Sequence, residues 1–279
     1  LKWIADFRDP WTEISYYKHL KLTKIADKKH RKLESEVFKY ADVTLATSYT
    51  DAENFRKKGA NAFCITNGFD VDASTTLSMT EENSKTLPLS NSTTKFTLSY
   101  IGVLEQLRNP EILWETLNDL VQENADFKND FQLKFVGRLD DKILQKIESS
   151  PLKNNLTNLG YQTHDVALKH MQDSTVLLMT NFPEESSKGI IPGKIFEYLA
   201  TGKTILSFGP KDADVEKILN ETKAGKHFGY DEKENLKNFI LESYQNWKSG
   251  TLNQNAENIE QFSRKNLTQK LVDLMNKWF

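Results

Sequence analysis

Short apolar runs alternate with longer amphipathic stretches along most of this chain. Several of the runs, such as STVLLMT (174–180) and TILSF (204–208), carry apolar, small or β-branched residues at consecutive positions. Continuous apolar strands are typical of parallel sheets that are covered on both faces, and strands that alternate with helices predict βαβ units. We therefore predict an α/β fold that contains a doubly wound, Rossmann-like parallel sheet.

The predicted elements form two groups, one on each side of a polar segment. The first group has strands at 2–7, 43–47 and 62–66, and helices at about 15–40 and 50–58. In the second group each strand precedes a helix, and the strands lie at 96–101, 132–136, 156–160, 174–180, 204–208 and 226–230. The helices should begin near Pro110, Asp140, Thr163, Pro192, Asp212 and Asp231, and a last helix should run from about Asn255 to the chain end.

The polar segment divides the chain into domains. Residues 73–95 are rich in Ser, Thr and Asn without periodicity, which predicts a linker or long loop. We predict one complete doubly wound domain at 96–254, a C-terminal helix at 255–279, and the C-terminal remnant of a second Rossmann-like domain at 1–72. The chain starts at Leu1, without Met and directly in a strand-like run. We therefore expect a native N-terminal part to be missing.

Composition narrows the classes of function. The 279 residues carry a net charge of −2, which gives no sign of a nucleic-acid partner. The single cysteine, Cys64, permits no intrachain disulfide and fits a reducing compartment, so we expect a cytoplasmic protein. No GxGxxG motif is present, which argues against a nicotinamide-dependent enzyme. We see no Cys/His cluster and expect no metal.

Ligands of open α/β sheets bind beyond the carboxyl ends of the strands, so we expect the ligand-binding residues in the turns that follow the strands. After the strand at 96–101, Gly102 lets a ligand approach the backbone, and Arg108 precedes Asn109, a good N-cap, and Pro110. Arginine beside a helix N-terminus can bind phosphate; the alternative is a surface arginine beside an ordinary cap. After the strand at 132–136, Gly137 and Arg138 offer the same chemistry.

The longest of these turns leads into a helix of about nine residues, within GIIPGKIFEYLATGKTIL (189–206). Lys194 and Glu197 share one face of that helix, while Ile195 and Leu199 share another that can pack on the sheet. A cation in a first helical turn is disfavoured, and an anionic ligand would remove the conflict. The alternative is a simple Lys–Glu pair within the helix. Gly202 should end the helix.

Two motifs have simpler explanations. TGKT (201–204) resembles the end of a P-loop, but the first P-loop glycine would fall at Glu197, and the motif lies between helix and strand. DAD (212–214) resembles a metal-binding acidic pair, but we interpret it as an N-cap and first helical turn.

Five stretches together resemble glycosyltransferase family 4, the retaining enzymes of the two-domain GT-B architecture. The stretches are ADVTLATSYTDAENFRKKGANAFCITNGFDVD (41–72), LSYIGVLEQLRNPEILWETL (98–117), KFVGRLDD (134–141), NLTNLGYQTHDVALKHMQDSTVLLMTN (155–181) and GIIPGKIFEYLATGKTIL (189–206). The resemblance implies a GT-B-like fold, with an acceptor-binding domain at 1–72, a nucleotide-sugar-binding domain at 96–254 and a last helix that crosses back to the acceptor-binding domain.

The resemblance also implies roles for individual residues. Glu197 matches the glutamate that holds the nucleotide ribose, and Arg108 and Lys194 match contacts to the donor diphosphate or sugar; we take these three as the catalytic residues. The predicted donor-binding residues are Gly102, Arg108, Asn109, Gly137, Arg138, Gly189, Lys194 and Glu197. Two positions depart from the family. Gly189 stands where a first signature glutamate is usual, with Glu184 or Glu185 as substitutes, and Arg8 and Asp9 stand where a histidine is frequent.

The implied activity is sugar transfer from a nucleoside-diphosphate sugar to a glycan or lipid-linked acceptor with retention of configuration, as in cell-surface polysaccharide biosynthesis. No metal or other cofactor is implied. A non-catalytic nucleotide-sugar-binding relative and a nucleotide-sugar epimerase are the alternatives. We expect the chain without its N-terminal part to bind donor weakly and not to catalyse.

One basic segment concerns the acceptor. Seven Lys/Arg and one acidic residue, Asp27, lie between Lys18 and Lys32, just after Tyr16 and Tyr17. A basic helix flanked by aromatic residues can rest on an anionic membrane face, and the alternative is a solvated charged helix face. We therefore expect a peripheral membrane contact through 16–32 at the inner face of the membrane.

Overall fold

The chain forms two parallel β-sheets with helices packed against them. The computed structural model describes residues 1–14, 17–70, 95–252 and 256–278, so all of the predicted linker at 73–95 except its last residue lies outside it. The strands are β1 Ile4–Phe7, β2 Val43–Ala46, β3 Ala62–Cys64, β4 Phe96–Ile101, β5 Phe131–Val136, β6 Leu156–Asn158, β7 Val176–Thr180, β8 Thr204–Phe208 and β9 Gly225–Phe228. The helices are α1 Lys24–Tyr40, α2 Tyr49–Lys57, α3 Glu111–Glu123, α4 Ala125–Asp130, α5 Asp141–Glu148, α6 His164–Gln172, α7 Lys194–Ala200, α8 Asp214–Thr222, α9 Lys233–Lys248 and α10 Arg264–Trp278.

The larger sheet has six strands in the order β6-β5-β4-β7-β8-β9. All neighbouring strands are parallel, and Leu98 in β4 pairs with Leu133 in β5 on one side and Val176 in β7 on the other. The chain moves outward from β4 to β6, and then outward again from β7 to β9. The strand order therefore reverses between β4 and β7, which is where open α/β sheets bind ligands.

Helices cover both faces of the six-stranded sheet. On one face α3, α5 and α9 contribute a core that includes Trp114, Ile143 and Tyr244. On the other face α6, α7 and α8 contribute residues such as Ile195 and Ile218. Burial on both faces explains why the strands carry consecutive apolar residues. The predicted doubly wound α/β domain is confirmed.

The smaller sheet has three parallel strands in the order β1-β2-β3. Its core is small and aromatic, because Phe38 of α1 and Phe55 of α2 pack against Phe7 with their rings tilted. The ring centroids of Phe38 and Phe55 are 4.9 Å apart. Ser48 caps α2 by accepting a hydrogen bond from the Asp51 amide. Helix α2 ends at Lys57, one residue before the predicted end, and Gly59 beyond it adopts a φ of +92°.

Two predicted helices begin later than their sequence pattern indicates. The helix predicted at 15–40 starts at Lys24, because Lys21 adopts the left-handed conformation and Thr23 then caps the helix, while Ser15 and Tyr16 lie outside the described residues. The helix predicted from Asn255 starts at Arg264, after a 3-10 turn at Ile259–Phe262. No helix in the described part of the chain is long and apolar enough to cross a membrane.

Helix α10 lies against the smaller sheet. The Phe69 amide donates to the carbonyl of Phe262, and the Arg264 amide donates to the carbonyl of Phe69. Farther along α10, Trp278 meets Phe63 of β3 edge-on, with ring centroids 6.2 Å apart. The end of the chain therefore joins the two sheets from one side.

Candidate functional site

The carboxyl ends of β4 and β5 come unusually close to one another. Gly102 and Gly137 follow these strands with φ values of +119° and +125°, a backbone conformation that favours glycine. A Cβ atom on Gly137 would lie 2.2 Å from the Gly102 carbonyl oxygen. Gly137 therefore allows two backbone segments to pack together, and the predicted contact of Gly137 with a ligand stays a prediction.

Lys194 reaches from the first turn of α7 to the end of β4. Its Nζ atom donates to the Ile101 carbonyl at 2.9 Å and lies 4.3 Å from the centroid of the Tyr100 ring. Burial is the main cause that lowers the pKa of the Lys194 ammonium to about 8; repulsion from Arg108 contributes to the shift, and Glu197 opposes it. Lys194 makes no ion pair with any described residue. A largely buried ammonium without a carboxylate partner is suited to receive an anion.

Arg108 borders the same end of β4. Its guanidinium donates to the Val103 carbonyl at 3.0 Å and lies 5.4 Å from the centroid of the Phe182 ring. Glu105 is a weaker partner at 3.4 Å, and the buried Nε atom of Arg108 has no hydrogen-bond partner. The arginine is therefore fixed in place while part of its hydrogen-bonding capacity stays unused.

Asn109 does not cap α3, contrary to the sequence prediction. Pro110 occupies the N-cap position, and α3 begins at Glu111. The Asn109 side-chain oxygen instead accepts a hydrogen bond from the Trp114 indole at 2.7 Å. The buried Trp114 needs a partner for its N–H group, and this need outweighs the capping preference of Asn109.

Glu197 lies one turn beyond Lys194 and borders a cleft of about 450 Å³ between the two sheets. Its side chain is 40% exposed, and one carboxylate oxygen lies 3.4 Å from Nε2 of His164. Ile195 and Leu199, on the opposite face of α7, are buried as predicted. Helix α7 has seven residues, fewer than the nine predicted, and Gly202 follows it with a φ of +64°.

The remaining predicted residues lie in different surroundings. Arg138 is exposed at the end of β5. Gly189 faces the smaller sheet, where a Cβ atom would lie 3.1 Å from the Ser48 hydroxyl and 3.3 Å from a carboxylate oxygen of Asp51. The structure thus brings Gly102, Arg108 and Lys194 together at the end of β4, with Glu197 beside them, and places Gly189 across from α2.

A second cleft, of about 510 Å³, continues the first. It is lined by Arg8 and Asp51 from the smaller sheet and by Lys188 and Gly189 from the loop after β7. Arg8 and Asn67 border both clefts, so the two clefts adjoin, and we refer to them together as the groove.

Asp214 is an important residue that the sequence analysis missed. It is fully buried, and its carboxylate accepts hydrogen bonds from the Thr50 amide at 2.9 Å and the Thr50 hydroxyl at 2.8 Å. Lys217 adds an ion pair at 3.0 Å. Ala213 occupies the N-cap position of α8 without a side-chain hydrogen bond, so the prediction that DAD forms a helix cap is wrong for Asp212. The sequence motif contains the residue but gives no sign of its partner 164 positions away.

The chain resembles solved structures, although no protein-family model and no curated protein match its sequence. HepE from Anabaena in complex with UDP-glucose is 17% identical, with a TM-score of 0.66 over 99% of this chain and 72% of HepE. A glycosyltransferase from Rickettsia africae is 13% identical, with a TM-score of 0.62 over 99% of this chain and 76% of its own. The fold is that of the GT-B glycosyltransferases. S. aureus TarM, solved with UDP and α-GlcNAc-glycerol, is 16% identical with a TM-score of 0.59, and the match covers 89% of this chain and 46% of TarM.

The GT-B likeness confirms the predicted fold class. The six-stranded sheet corresponds to one complete Rossmann-like domain, and the match to HepE covers 72% of that protein. The predicted domain boundaries and the predicted absence of a metal stay predictions, and no group of three or more His, Cys, Asp or Glu within the described ranges is arranged to hold a metal ion.

Proposed function

We propose that this protein is a retaining hexosyltransferase of glycosyltransferase family 4. It transfers a sugar from a nucleoside-diphosphate sugar to a glycan or lipid-linked acceptor, as in the biosynthesis of cell-surface polysaccharides. The observation that carries the proposal is the pair of cations, Lys194 and Arg108, beside Gly102 where the strand order reverses. HepE, which shares the fold, was solved with UDP-glucose.

A diphosphate fits the surroundings of this pair. A buried ammonium loses hydration, and the nearby Arg108 adds repulsion, so an anion between the two cations relieves an existing cost. The N–H groups of Arg108 can bind two phosphate oxygens at once, while Lys194 acts as a point charge. Gly102 leaves space for the Lys194 ammonium at the end of β4, since a Cβ atom on Gly102 would lie 3.1 Å from Nζ of Lys194.

The same groups would act in the chemical step. When the bond between the anomeric carbon and the diphosphate oxygen breaks, the electron pair stays on that oxygen. The acceptor hydroxyl oxygen bonds to the anomeric carbon, and the hydroxyl proton passes to the departing diphosphate. Negative charge therefore grows on the diphosphate, and cations already fixed beside it stabilise the transition state. Glu197 accepts hydrogen bonds from the ribose hydroxyls, as acidic residues do in other nucleotide-binding α/β folds. The exposed Arg138, together with Asn109, Gly137 and Gly189, completes the proposed donor-binding set.

The test is incubation of the full-length protein with UDP-glucose, UDP-galactose, UDP-N-acetylglucosamine and GDP-mannose, with chromatographic analysis of the products. A transferase releases free sugar and nucleoside diphosphate slowly in the absence of acceptor. A changed sugar on an intact nucleotide indicates an epimerase. Calorimetric binding without any product indicates a non-catalytic relative, the alternative that Gly189 at a glutamate position favours.

We also propose that α1 rests on the cytoplasmic face of an anionic membrane. Lys24, Lys28 and Lys29 are exposed on α1 and pair with no described residue, and Ile25 beside them is 84% exposed. Arg31 and Lys32 are paired with Asp27 and Glu36 within the helix. Liposome flotation at low and high salt tests this contact. Binding should require anionic lipid and weaken in salt, and flotation that is independent of lipid charge contradicts it.

A further inference from the structure

Asp51 occupies a distinctive position on the smaller sheet's side of the groove. It lies in the first turn of α2, and its carboxylate faces Gly189 on the loop after β7. A Cβ atom on Gly189 would lie 3.3 Å from the Asp51 oxygen, closer than nearly all real Cβ contacts. The missing side chain at Gly189 therefore makes room for a carboxylate from the other sheet.

Asp214 forms hydrogen bonds to residues on both sides of the contact between Asp51 and Gly189. Its carboxylate binds the amide and hydroxyl of Thr50, next to Asp51, and its own amide donates to the Lys188 carbonyl at 2.9 Å, next to Gly189. On the other flank of Gly189, the Asn181 side chain donates to the Ile190 carbonyl at 2.8 Å. Hydrogen bonds therefore fix the separation between Asp51 and Gly189.

The Asp51 carboxylate lacks a counter-charge. It makes no ion pair with any described residue, although Arg8 and Lys188 border the same cleft of about 510 Å³. Burial raises the pKa of Asp51, and repulsion from Asp214, Asp9 and Glu13 adds to this effect, while Ser48 offsets part of it. A half-buried carboxylate with negative neighbours gains most from a ligand that donates hydrogen bonds.

We infer that Asp51 is a specificity-determining residue that accepts hydrogen bonds from hydroxyl groups of the donor's sugar. This inference rests on the proposed function. The order of features along the chain supports it, since Gly189, Lys194 and Glu197 follow one another on one segment. A nucleoside-diphosphate sugar has its sugar, diphosphate and ribose in the same order. Asp51 thus supplies, from the smaller sheet, the carboxylate that the segment lacks at Gly189.

Calorimetry with paired ligands tests this role. Dissociation constants of UDP and of UDP-glucose, UDP-galactose and UDP-N-acetylglucosamine are measured for the wild type, Asp51→Asn and Gly189→Ala. Asp51→Asn should weaken the preferred UDP-sugar about 10-fold and leave UDP within about 2-fold, because one hydrogen bond to a charged group is lost only when the sugar is present. Gly189→Ala keeps the carboxylate but crowds it, so it should show the same selective loss.

Glu53→Gln is the matched control, because Glu53 lies on the same helix and pairs with the exposed Lys57. It should change neither affinity. Equal weakening of UDP and UDP-sugar by Asp51→Asn, or no weakening of either, overturns the role of Asp51 while the proposed function stands. A wild-type chain that binds no UDP, no UDP-sugar and no GDP-mannose overturns both. Circular dichroism and thermal melting establish whether each variant is folded. If Asp51→Asn does not fold, the binding data of Gly189→Ala decide whether Asp51 has the proposed role.

Discussion

Two charged side chains, the partly exposed Lys194 at the end of β4 and the fully buried Asp214 where the two sheets meet, differ in how well they are paired. Asp214 receives three donors, from the Thr50 amide, the Thr50 hydroxyl and the Lys217 ammonium. Lys194 has one carbonyl and one aromatic ring, and its charged neighbour Arg108 repels it. Both residues lie in or beside a first helical turn, so local helix geometry does not explain the difference.

The difference separates structural charges from functional ones. A buried carboxylate that is fully hydrogen-bonded within the protein has no capacity left for a ligand, and it holds its neighbours in place. A buried ammonium that has lost its hydration without gaining a counter-ion is destabilising until an anion arrives. We therefore assign Asp214 to the joint between the sheets and Lys194 to the proposed donor site.

Removal of Asp214 should have the largest effect. Asp214→Ala leaves the amide and hydroxyl donors of Thr50 unpaired, whereas the partly exposed Lys217 ammonium can be hydrated, and should lower the free energy of unfolding by about 2–4 kcal/mol. Urea denaturation followed by circular dichroism measures this change. Glu221→Ala is the control, because Glu221 is an exposed residue on the same helix. This substitution should change the free energy of unfolding by no more than about 0.5 kcal/mol. A small effect of Asp214→Ala would show that the joint does not depend on this carboxylate.

Replacement of Lys194 should have two effects of opposite sign. Lys194→Met removes a disfavoured buried charge, and should raise the free energy of unfolding at pH 7 by about 2 kcal/mol. The same variant should weaken UDP binding about 30-fold, because a charge-assisted contact to phosphate is lost. Lys203→Met is a matched control, because burial also lowers the pKa of Lys203. Lys203 precedes the amino end of β8, whereas the proposed site lies at the carboxyl ends of the strands. The Lys203→Met variant should stabilise the protein without changing its affinity for UDP.

The pH dependence of the wild type follows from the lowered pKa of Lys194. The folded-state pKa of about 8 lies below the value near 10.4 of an unfolded chain, so the unfolded state binds more protons between these values. Stability should therefore rise with pH through this window. Affinity for UDP should fall about 10-fold from pH 7 to pH 9 as the ammonium deprotonates. Lys194→Arg, which keeps its charge, should remove this loss, and an unchanged pH profile would contradict the assignment.

The smallest effect is expected at Glu197. Glu197→Gln should weaken UDP binding about 5-fold, since one hydrogen bond to the ribose is weakened. Pyrophosphate has no ribose, and its affinity should stay the same. Calorimetry with both ligands measures the difference, and equal weakening of the two would place Glu197 at the phosphates instead.

The sequence predicts the fold better than it predicts the contacts of the site. Apolar strands and glycine stops depend on neighbours along the chain, so β4, β7 and the end of α7 at Gly202 are predictable from local pattern. The hydrogen bond of Asn109 to Trp114 requires knowledge of which indole is buried. The pairing of Asp214 with Thr50, and of Asp51 with Gly189, joins segments far apart in the chain, and no local pattern encodes such pairings.

The central claim is that Lys194 receives the donor diphosphate, and its own titration tests this most directly. Nitrogen-15 NMR of the lysine ammonium groups, assigned through Lys194→Arg, gives the pKa of Lys194 without and with saturating UDP. The structure gives a pKa of about 8 for the free protein. Because a neighbouring anion favours the charged form, binding should raise that value by about one to two units. A pKa that is unchanged while UDP is bound would contradict the account.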